Sequence, residues 1–272
     1  TVMAASREAR LIKPMWHEPP PLRTDELYLA HTPHYVDEVL HSPPKAFAPD
    51  TFSSEGTAKA ALASAGAVVW AASDVMLGKA DKAFCIVSPG GHHAEADAAG
   101  GYCFFNHVAL AAIAALKKFG ASRVAVVDFD AHHGNGTQGL FWNFEDRLYI
   151  SLHEDNPLSG FALETGAWNN VLNIPLPKKS GSDVVRSAFA EKVMPKIEAF
   201  RPDIIFVSAG FDMHAGDTLS SMRLGPDDYR WLGEKLRDIS DKLCKGRLVA
   251  VLEGGYNLNT LGKAVAAFVE GL

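Results

Sequence analysis

The sequence is short of the features that mark secreted, membrane and nucleic-acid-binding proteins. It has three cysteines in 272 residues, no CxxC pair, and no apolar stretch long enough to cross a bilayer. Acidic residues outnumber basic ones, and the formal net charge is −6. These absences argue against a disulfide framework, a thiolate zinc site, a membrane span and a nucleic-acid partner. They favour a cytoplasmic protein in a reducing compartment.

Apolar runs alternate with helical periodicity along most of the chain. The runs, which are typical of strands buried on both faces, lie at 83–87, 124–127, 147–153, 170–175, 203–209 and 247–252. Helices are predicted over 57–77, 107–118, 183–200, 225–244 and 260–270, whereas 42–55 is predicted to be a loop. The pattern predicts an α/β fold, a single-domain doubly wound, mainly parallel sheet with helices on both faces. This domain is expected to cover residues 1–272, with an incomplete N-terminal segment because the chain starts at Thr1.

The central stretch, VAVVDFDAHHGNGTQG at 124–139, changes abruptly from apolar to polar. If the strand geometry persists, Asp128, Asp130 and His132 share one side, because alternate residues of a strand point the same way. A carboxylate and an imidazole at this spacing suit a zinc-like ion. The alternative is a polar strand end whose histidines cap the next helix.

Three further apolar strands end in polar, glycine-rich turns, namely SPGGHH at 88–93, GFDMH at 210–214 and EGGYN at 253–257. The carboxyl ends of parallel strands form one edge of a sheet, where ligands bind. Asp130, His132 and Asp212 then offer three metal ligands and an open position, as catalytic zinc sites do.

The other groups at these strand ends suit acid–base chemistry. His92 and His93 are candidates to move protons, and Tyr256 to stabilise an oxyanion. The predicted reaction is metal-assisted hydrolysis of an amide or ester.

These motifs also resemble a known family. GHHAE at 91–95, GYCFFN at 101–106, DFDAHHGNGTQ at 128–138, SLH at 151–153, SAGFDMHAGD at 208–217 and LEGGYNL at 252–258 are similar to segments of the zinc-dependent histone deacetylases. That family includes acetylpolyamine amidohydrolases, and the similarity is closer to its class II and bacterial members. The resemblance implies an arginase/deacetylase-like fold and removal of acetyl or related acyl groups from acyl-lysine or acylated polyamines.

The resemblance assigns roles to individual residues. Asp130, His132 and Asp212 match the zinc ligands, and His93 matches the general base and acid. Asp128 would support His92, Asn135 would support His93, and Tyr256 would stabilise the transition state. The substrate-binding residues implied are Asp50, Gly101, Tyr102, Phe161 and Gly255.

Potassium is the second ion that the resemblance implies. An inner structural site would use Asp128, Ser151 and the backbone carbonyls of Asp130, His132 and Leu152. An outer site would use backbone carbonyls near Phe141, Phe144 and Arg147.

The sequence departs from the family pattern in four places, the first being that the family's opening segment and first strand are not expected in this chain. Ser88-Pro89-Gly90-Gly91 replaces Arg-Pro-Pro-Gly, Tyr102 replaces the commoner Phe, and the stretch after His153 lacks Pro-Gly-Thr-Gly. These differences bear on substrate choice rather than on metal chemistry.

Several alternatives stay open on the sequence alone. A hydrolase of small acylated metabolites or esters, or a non-catalytic acyl-lysine-binding protein, would use the same pocket, and zinc or Fe²⁺ would suit the ligands. The GxGxxG match at 134–139 is weak by itself, and no dinucleotide site is expected there because the carboxylates of the preceding Asp/His run would repel a pyrophosphate. His133 is expected to be structural, and His153 to contact the site residues without binding the metal. His214 is expected to have the same role as His153 or to belong to the loop, and Glu253 to be a loop carboxylate or helix-cap partner. The oligomeric state is not predicted.

Overall fold

The computed structural model describes residues 14–156 and 160–272. Its main sheet has six strands, all paired in parallel, in the spatial order β3-β8-β7-β4-β5-β6. The strands are β3 (Lys82–Cys85), β4 (Val124–Asp128), β5 (Arg147–Glu154), β6 (Val171–Leu176), β7 (Ile204–Ala209) and β8 (Leu248–Leu252). The predicted parallel α/β architecture is therefore confirmed.

Helices connect the strands and lie on both faces of the sheet. They are α1 (Thr24–Leu27), α2 (Pro33–His41), α3 (Thr57–Met76), α4 (His107–Lys118), α5 (Asn135–Phe141), α6 (Ser182–Ala188), α7 (Met194–Phe200), α8 (Pro226–Leu243) and α9 (Leu258–Gly271). A 3-10 turn spans Phe161–Leu163. None of the helices in the described part of the chain is both long and apolar enough to cross a membrane.

The alternation of strand residues divides the hydrophobic core into two layers. Val124 and Val126 of β4 pack with α3 and α4 on one face, whereas Ala125 and Val127 pack with α8 and α9 on the other. All five residues of β4 are buried. A continuous apolar run followed by a polar end is what a central strand needs when both of its faces are covered.

Local sequence signals account for several helix boundaries. The Thr32 side chain accepts a hydrogen bond from the backbone N–H of Tyr35, and Pro33 occupies the first turn of α2. At α4, the Asn106 side chain accepts from the N–H of Ala109. Such caps satisfy backbone donors that have no partner within the helix.

Two predicted elements differ from those observed. The helix predicted over 183–200 is interrupted by a π-helical turn, Phe189–Val193, next to Pro195. Proline has no N–H to donate to the preceding turn, and the helix widens there. The stretch 42–55 is not a simple loop, because β1 (Ala46–Ala48) and β2 (Thr51–Phe52) pair as a short antiparallel hairpin.

Candidate metal centre and active site

The four strands that end in polar turns are neighbours in the sheet. They run in the order β3-β8-β7-β4, so the segments after Cys85, Leu252, Ala209 and Asp128 leave the same edge side by side. Because the strands are parallel, their carboxyl ends lie together. This topology brings His92, Asp130, Asp212 and Glu253 into one buried cluster although they come from distant parts of the chain.

The three predicted metal ligands converge in this cluster. One ligand atom from each of Asp130, His132 and Asp212 lies within 4.8 Å of the others. The His132 Nδ1 atom is 2.8 Å from Asp212 Oδ2 and 3.2 Å from Asp130 Oδ1. Strand β4 ends at Asp128, so a bend after the strand, rather than strand alternation, brings Asp130 and His132 together.

Backbone donors hold the two carboxylates in place. Asp212 Oδ1 accepts from the N–H of Ala131 at 2.8 Å, and Asp130 Oδ2 accepts from the N–H of Gly254 at 2.7 Å. Each contact joins the ends of two different strands. The positions of the candidate ligands are therefore fixed by the sheet and not by one flexible loop.

The chemistry of this donor set fits a divalent ion. Asp130 and Asp212 are almost completely buried, at 1% and 0% exposure. Burial, together with the charge of Asp130, raises the pKa of Asp212 above its usual range. Two buried carboxylates this close repel each other unless a cation lies between them, and two oxygens with one nitrogen suit zinc or Fe²⁺.

The tandem histidines have different partners. His92 Nδ1 lies 3.0 Å from Asp128 Oδ2, whereas His93 Nδ1 lies 2.8 Å from Asn135 Oδ1. The side-chain amide of Asn135 in turn donates to Glu95 at 2.7 Å. The rings of His92 and His93 are 4.1 Å apart, and that of His93 is 6.3 Å from His132.

These environments move the two histidine pKa values in opposite directions. Burial favours the neutral form of His92, but the charges of Asp128, Asp130 and Glu253 outweigh it and raise the pKa of His92 to about 10. Burial, reinforced by the charge of His92, lowers the pKa of His93 to about 3. His93 is thus neutral at pH 7, and a neutral imidazole can accept a proton.

Glu253 belongs to this cluster, although no site role was predicted for it. Its Oε2 atom accepts from the backbone N–H groups of Gly91 at 2.7 Å and His92 at 3.3 Å, and its Oε1 atom accepts from the Ser208 hydroxyl at 3.1 Å. Burial raises the pKa of Glu253 to about 7. Its position directly after β8 is the sequence feature from which a role in the site could have been predicted.

Tyr149 also supports the site, although its role was not predicted from the sequence. Its hydroxyl donates to Asp128 Oδ2 at 3.0 Å and accepts from the N–H of Gly134 at 3.0 Å. It lies inside the apolar run of β5, where a tyrosine is indistinguishable from an ordinary core residue. Together with His92, it satisfies one oxygen of the fully buried Asp128.

Tyr256 stands at the mouth of the site. It is 38% exposed, and its ring centroid is 6.1 Å from that of Tyr102. Burial of its hydroxyl and the charges of Asp130 and Asp212 raise the pKa of Tyr256 above its usual range. The hydroxyl therefore lies within electrostatic reach of both candidate metal ligands.

Asp217 holds the backbone that carries this tyrosine. Its Oδ2 atom accepts from the N–H groups of Tyr256 at 2.7 Å and Asn257 at 3.2 Å, and its Oδ1 atom accepts from Leu219 at 2.9 Å. Gly255, with φ of +138°, lies in the conformational region that favours glycine. Asp217 comes from the same loop as Asp212.

The hairpin residue Asp50 lies against the Gly101–Tyr102 turn. Asp50 Oδ1 accepts from the N–H of Gly101 at 3.2 Å and from the Thr51 hydroxyl at 2.8 Å. The Thr51 hydroxyl also accepts from the N–H of Tyr102 at 3.0 Å. A Cβ atom at Gly101 would lie 2.1 Å from the ring of His93, so a side chain is excluded there.

A cavity of about 400 Å³ opens beside the candidate ligands. His93, His132 and Phe161 are among the residues that line it. Of the two predicted channel residues, Phe161 lies on this cavity and stacks on His133 at 4.1 Å, whereas Tyr102 contacts Tyr256.

The remaining histidines have local partners. His133 Nε2 lies 3.0 Å from Gln138 Oε1, His153 Nδ1 lies 2.9 Å from the Ser151 hydroxyl, and His214 Nδ1 accepts from Gly216 at 3.0 Å. The roles expected for these histidines from the sequence stay predictions.

The two predicted potassium sites have different surroundings. At the inner one, Asp128 and Ser151 are opposite each other in the pairing of β4 with β5, and Leu152 follows on β5. At the outer one, the carbonyls of Phe141, Phe144 and Arg147 all accept from one side chain, Asn170.

Comparison with known proteins gives consistent matches. A family model described as Histone deacetylase domain matches residues 1–272. Type-2 histone deacetylase 2 of Dictyostelium discoideum is 38% identical over 244 residues, which cover 82% of this chain and 14% of that protein. The histone deacetylase-like amidohydrolase of Pseudomonas aeruginosa is 37% identical over 248 residues, which cover 88% of this chain and 65% of that protein.

A solved structure is similar over almost the whole chain. The crystal structure of the HDA15 HD domain superposes with a TM-score of 0.90 and 32% sequence identity, covering 99% of this chain and 81% of that one. The similarity therefore extends to sequence as well as fold.

Proposed function

This chain belongs to the histone deacetylase family, and we propose that it is a metal-dependent amidohydrolase that removes acetyl or related acyl groups from acyl-lysine or acylated polyamines. The observation that carries the proposal is the convergence of Asp130, His132 and Asp212 at one sheet edge, with His93 beside them and Tyr256 at the mouth. The chain spans less than two thirds of the length of the two curated relatives described above.

Asp130, His132 and Asp212 would hold the ion, zinc or Fe²⁺. When bound, such an ion polarises an acyl carbonyl and lowers the pKa of a water molecule. The burial of both carboxylates supports this assignment, since they have no other cationic partner among the described residues than the histidines of the site.

His93 is the proposed general base and then the general acid. Its Nδ1 atom donates to Asn135, which leaves Nε2 with a free lone pair for a proton. The depressed pKa of His93 keeps that lone pair available at neutral pH. After taking a proton from water, His93 would deliver it to the leaving amine.

His92 has a different proposed role. Asp128 on its Nδ1 atom favours the protonated form, so His92 would carry a positive charge beside His93. A fixed positive charge at this position stabilises the negative charge that develops on the substrate.

Tyr256 would donate its hydroxyl hydrogen to the substrate oxygen on which negative charge develops. A tyrosine of raised pKa keeps this hydrogen and donates it as a neutral group. Its partial exposure and its electrostatic contact with Asp130 and Asp212 support this role.

Substrate binding is proposed for the residues around the opening. Tyr102 and Phe161 would enclose the acyl-amine stem, Gly101 and Gly255 would leave room for it, and Asp50 would accept hydrogen bonds from a peptide backbone. The contact of Asp50 with the Gly101–Tyr102 turn supports a place at the rim.

A structural potassium ion is proposed at the inner site. The side chains of Asp128 and Ser151, with the carbonyls of Asp130, His132 and Leu152, would supply its ligands. The facing positions of Asp128 and Ser151 on adjacent strands support this. A cytoplasmic location stays a prediction.

The test compares Tyr256→Phe with Tyr102→Phe, a matched loss of one hydroxyl at the same mouth. With zinc content equal in all samples, we expect Tyr256→Phe to lose about 100-fold or more in kcat on an acetyl-lysine peptide, since one oxyanion donor contributes roughly this much. Tyr102→Phe is expected to stay within about threefold of the parent, because the ring that would enclose the acyl-amine stem is kept and only the hydroxyl of an exposed residue is lost.

A substrate panel completes the test. Acetyl-lysine peptide, an acetylated polyamine and a simple ester are assayed side by side on zinc-loaded protein. If Tyr256→Phe has the same kcat as the parent protein, the proposed role of this tyrosine is refuted. Binding of acetylated peptide without release of acetate would instead favour a non-catalytic reader.

A further inference from the structure

Three backbone carbonyls converge on one nitrogen atom close to the start of β5. Asn170 Nδ2 lies 2.9 Å from the carbonyl oxygen of Phe141, 3.1 Å from that of Phe144 and 2.9 Å from that of Arg147. Asn170 is 3% exposed, so water does not compete freely for these contacts. We refer to the three carbonyls as the 141–147 ring.

The chain geometry explains why the carbonyls meet. Phe141 is the last residue of α5 and Arg147 is the first residue of β5, so the chain reverses within the residues between them. The carbonyl end of a helix carries partial negative charge. Three carbonyl dipoles that point at one place need a positively charged or hydrogen-donating group there.

The orientation of the Asn170 amide is fixed from its other side. Its Oδ1 atom accepts from the backbone N–H of Trp168 at 3.2 Å, and the Asn170 carbonyl accepts from Tyr149 at 2.9 Å. Reversing the amide would turn its oxygen toward three carbonyl oxygens and its NH₂ group toward an N–H donor. Hydrogen bonding therefore assigns the nitrogen to the ring.

The Arg147 side chain brings a positive charge to the turn that supplies the 141–147 ring. Its guanidinium donates to the carbonyl of Leu140 at 3.1 Å and lies 3.7 Å from the centre of the aromatic ring of Phe144. A cation bound to the three carbonyls would meet the amide hydrogens, and the Arg147 guanidinium adds a positive charge to the same turn. The residues present thus do not fit the outer potassium ion that the family resemblance implies.

We propose that the side-chain amide of Asn170 replaces a monovalent cation at the 141–147 ring, so that this chain holds the α5–β5 turn without a second potassium ion. The amide nitrogen occupies the point from which all three carbonyls are reached, and the two cannot be present together. An amide offers two hydrogens to three acceptors, so one hydrogen is shared.

Anomalous scattering from the parent protein gives a direct test. Crystals grown with rubidium or thallium chloride in place of potassium chloride are expected to show no peak within the 141–147 ring. A peak there, with the Asn170 amide displaced, would overturn the proposal. This readout does not depend on catalysis, so it is decided separately from the proposed function.

Variants supply a second test by cation rescue. Asn170→Ala empties the ring, and Asn143→Ala is the matched control because Asn143 is exposed on the same turn. Melting temperatures are compared in potassium chloride and in choline chloride at equal ionic strength. A change in melting temperature caused by potassium at the inner site is common to all three proteins, so the parent measures it.

The expected result is an additional potassium-dependent rise of several degrees in Asn170→Ala, absent from the parent and from Asn143→Ala. If Asn170→Ala folds in potassium chloride but not in choline chloride, that result would support the proposal in the same way. Equal potassium responses in all three proteins would overturn it. If Asn170→Ala folds in neither salt, the rubidium or thallium crystals of the parent decide.

Discussion

Asp217 illustrates how a side chain that does no chemistry can set the position of one that does. Its carboxylate accepts the N–H groups of Tyr256 and Asn257, next to Gly255, whose backbone is otherwise permissive. The same loop carries Asp212. Asp217 therefore links the candidate oxyanion donor to the candidate metal ligand.

We predict that Asp217→Asn lowers kcat by about tenfold with little change in KM. The substitution replaces one acceptor oxygen by an NH₂ group, and a hydrogen bond to a charged group contributes about 1.5–3 kcal/mol. In a Tyr256→Phe background, the same substitution should cost less than about twofold, since coupled residues are not additive.

Hydrogen exchange provides the control for this prediction. The amides of residues 254–258 should exchange faster in Asp217→Asn and at the parental rate in Asp183→Asn, whose exposed carboxylate lies in the first turn of α6. Equal losses in the parent and Tyr256→Phe backgrounds would show that Asp217 does not act through Tyr256.

Glu253 acts on the tandem-histidine turn in a comparable way. Glu253→Ala would leave the N–H groups of Gly91 and His92 and the Ser208 hydroxyl without their buried acceptor. Each such loss costs about 1–3 kcal/mol, so we expect unfolding in urea to show a decrease of about 3 kcal/mol or more. Glu253→Gln, which keeps an acceptor oxygen, should retain most of the stability; similar losses in both variants would contradict this account.

At the scale of elements, the side chains of Asp50 and Thr51 join the β1–β2 hairpin to the Gly101–Tyr102 turn. Thr51 is completely buried, accepts from the N–H of Tyr102 and donates to Asp50. The hairpin and the Gly101–Tyr102 turn at the opening of the site should therefore move as one unit.

Thr51→Val tests this connection with almost no change of shape. We expect a loss of about 1–2 kcal/mol in stability, because an N–H and a carboxylate lose a buried partner. KM for an acetyl-lysine peptide should rise more than KM for an acetylated polyamine, which has no peptide backbone for Asp50 to bind. Thr51→Ser should restore both values, and equal KM changes for the two substrates would argue against the connection.

At the scale of the whole molecule, buried histidines outside the site make the fold sensitive to acid. His31 Nε2 accepts from the N–H of Asn106 at 3.0 Å, and its Nδ1 atom lies 2.8 Å from the carbonyl of Glu95. Burial lowers the pKa of His31 to about 4. Protonation of Nε2 would break the bond to Asn106.

The sign of the pH effect follows from this lowered pKa. Between about pH 6.5 and 4 the unfolded chain binds a proton that folded His31 does not, so stability falls as the pH drops through this window. The expected loss from His31 is about 2 kcal/mol at pH 5 relative to pH 7.5. Urea titrations at the two pH values should show a smaller difference for His31→Gln and an unchanged one for exposed His34→Gln; a parental difference in His31→Gln would contradict the assignment.

Metal binding should stabilise the whole fold as well as support turnover. Asp130 and Asp212 repel each other without a cation, so chelation is expected to lower the melting temperature. At a free zinc concentration 1,000-fold above Kd, the stabilisation amounts to about 4 kcal/mol. Asp212→Asn should lose most of this zinc response, whereas Asp183→Asn should keep it. Equal melting temperatures with and without zinc would contradict the metal centre.

The sequence by itself determined the order of the main-sheet strands along the chain and the residue types at each strand end. Apolar runs and helical periodicity are local properties, so the parallel α/β fold followed from them. The three candidate metal ligands were named in the same way, from polar residues directly after β4 and β7.

Only the tertiary structure decided which strand ends are neighbours and which distant residues complete the site. The order β3-β8-β7-β4 brings Glu253 to the backbone of Gly91 and Asp217 to that of Tyr256. It also takes the packing of β6 against β5 to bring Asn170 to the 141–147 ring. These contacts join residues far apart in the chain, and no local pattern specifies them, because they depend on how buried donors and acceptors are satisfied once the strands are packed.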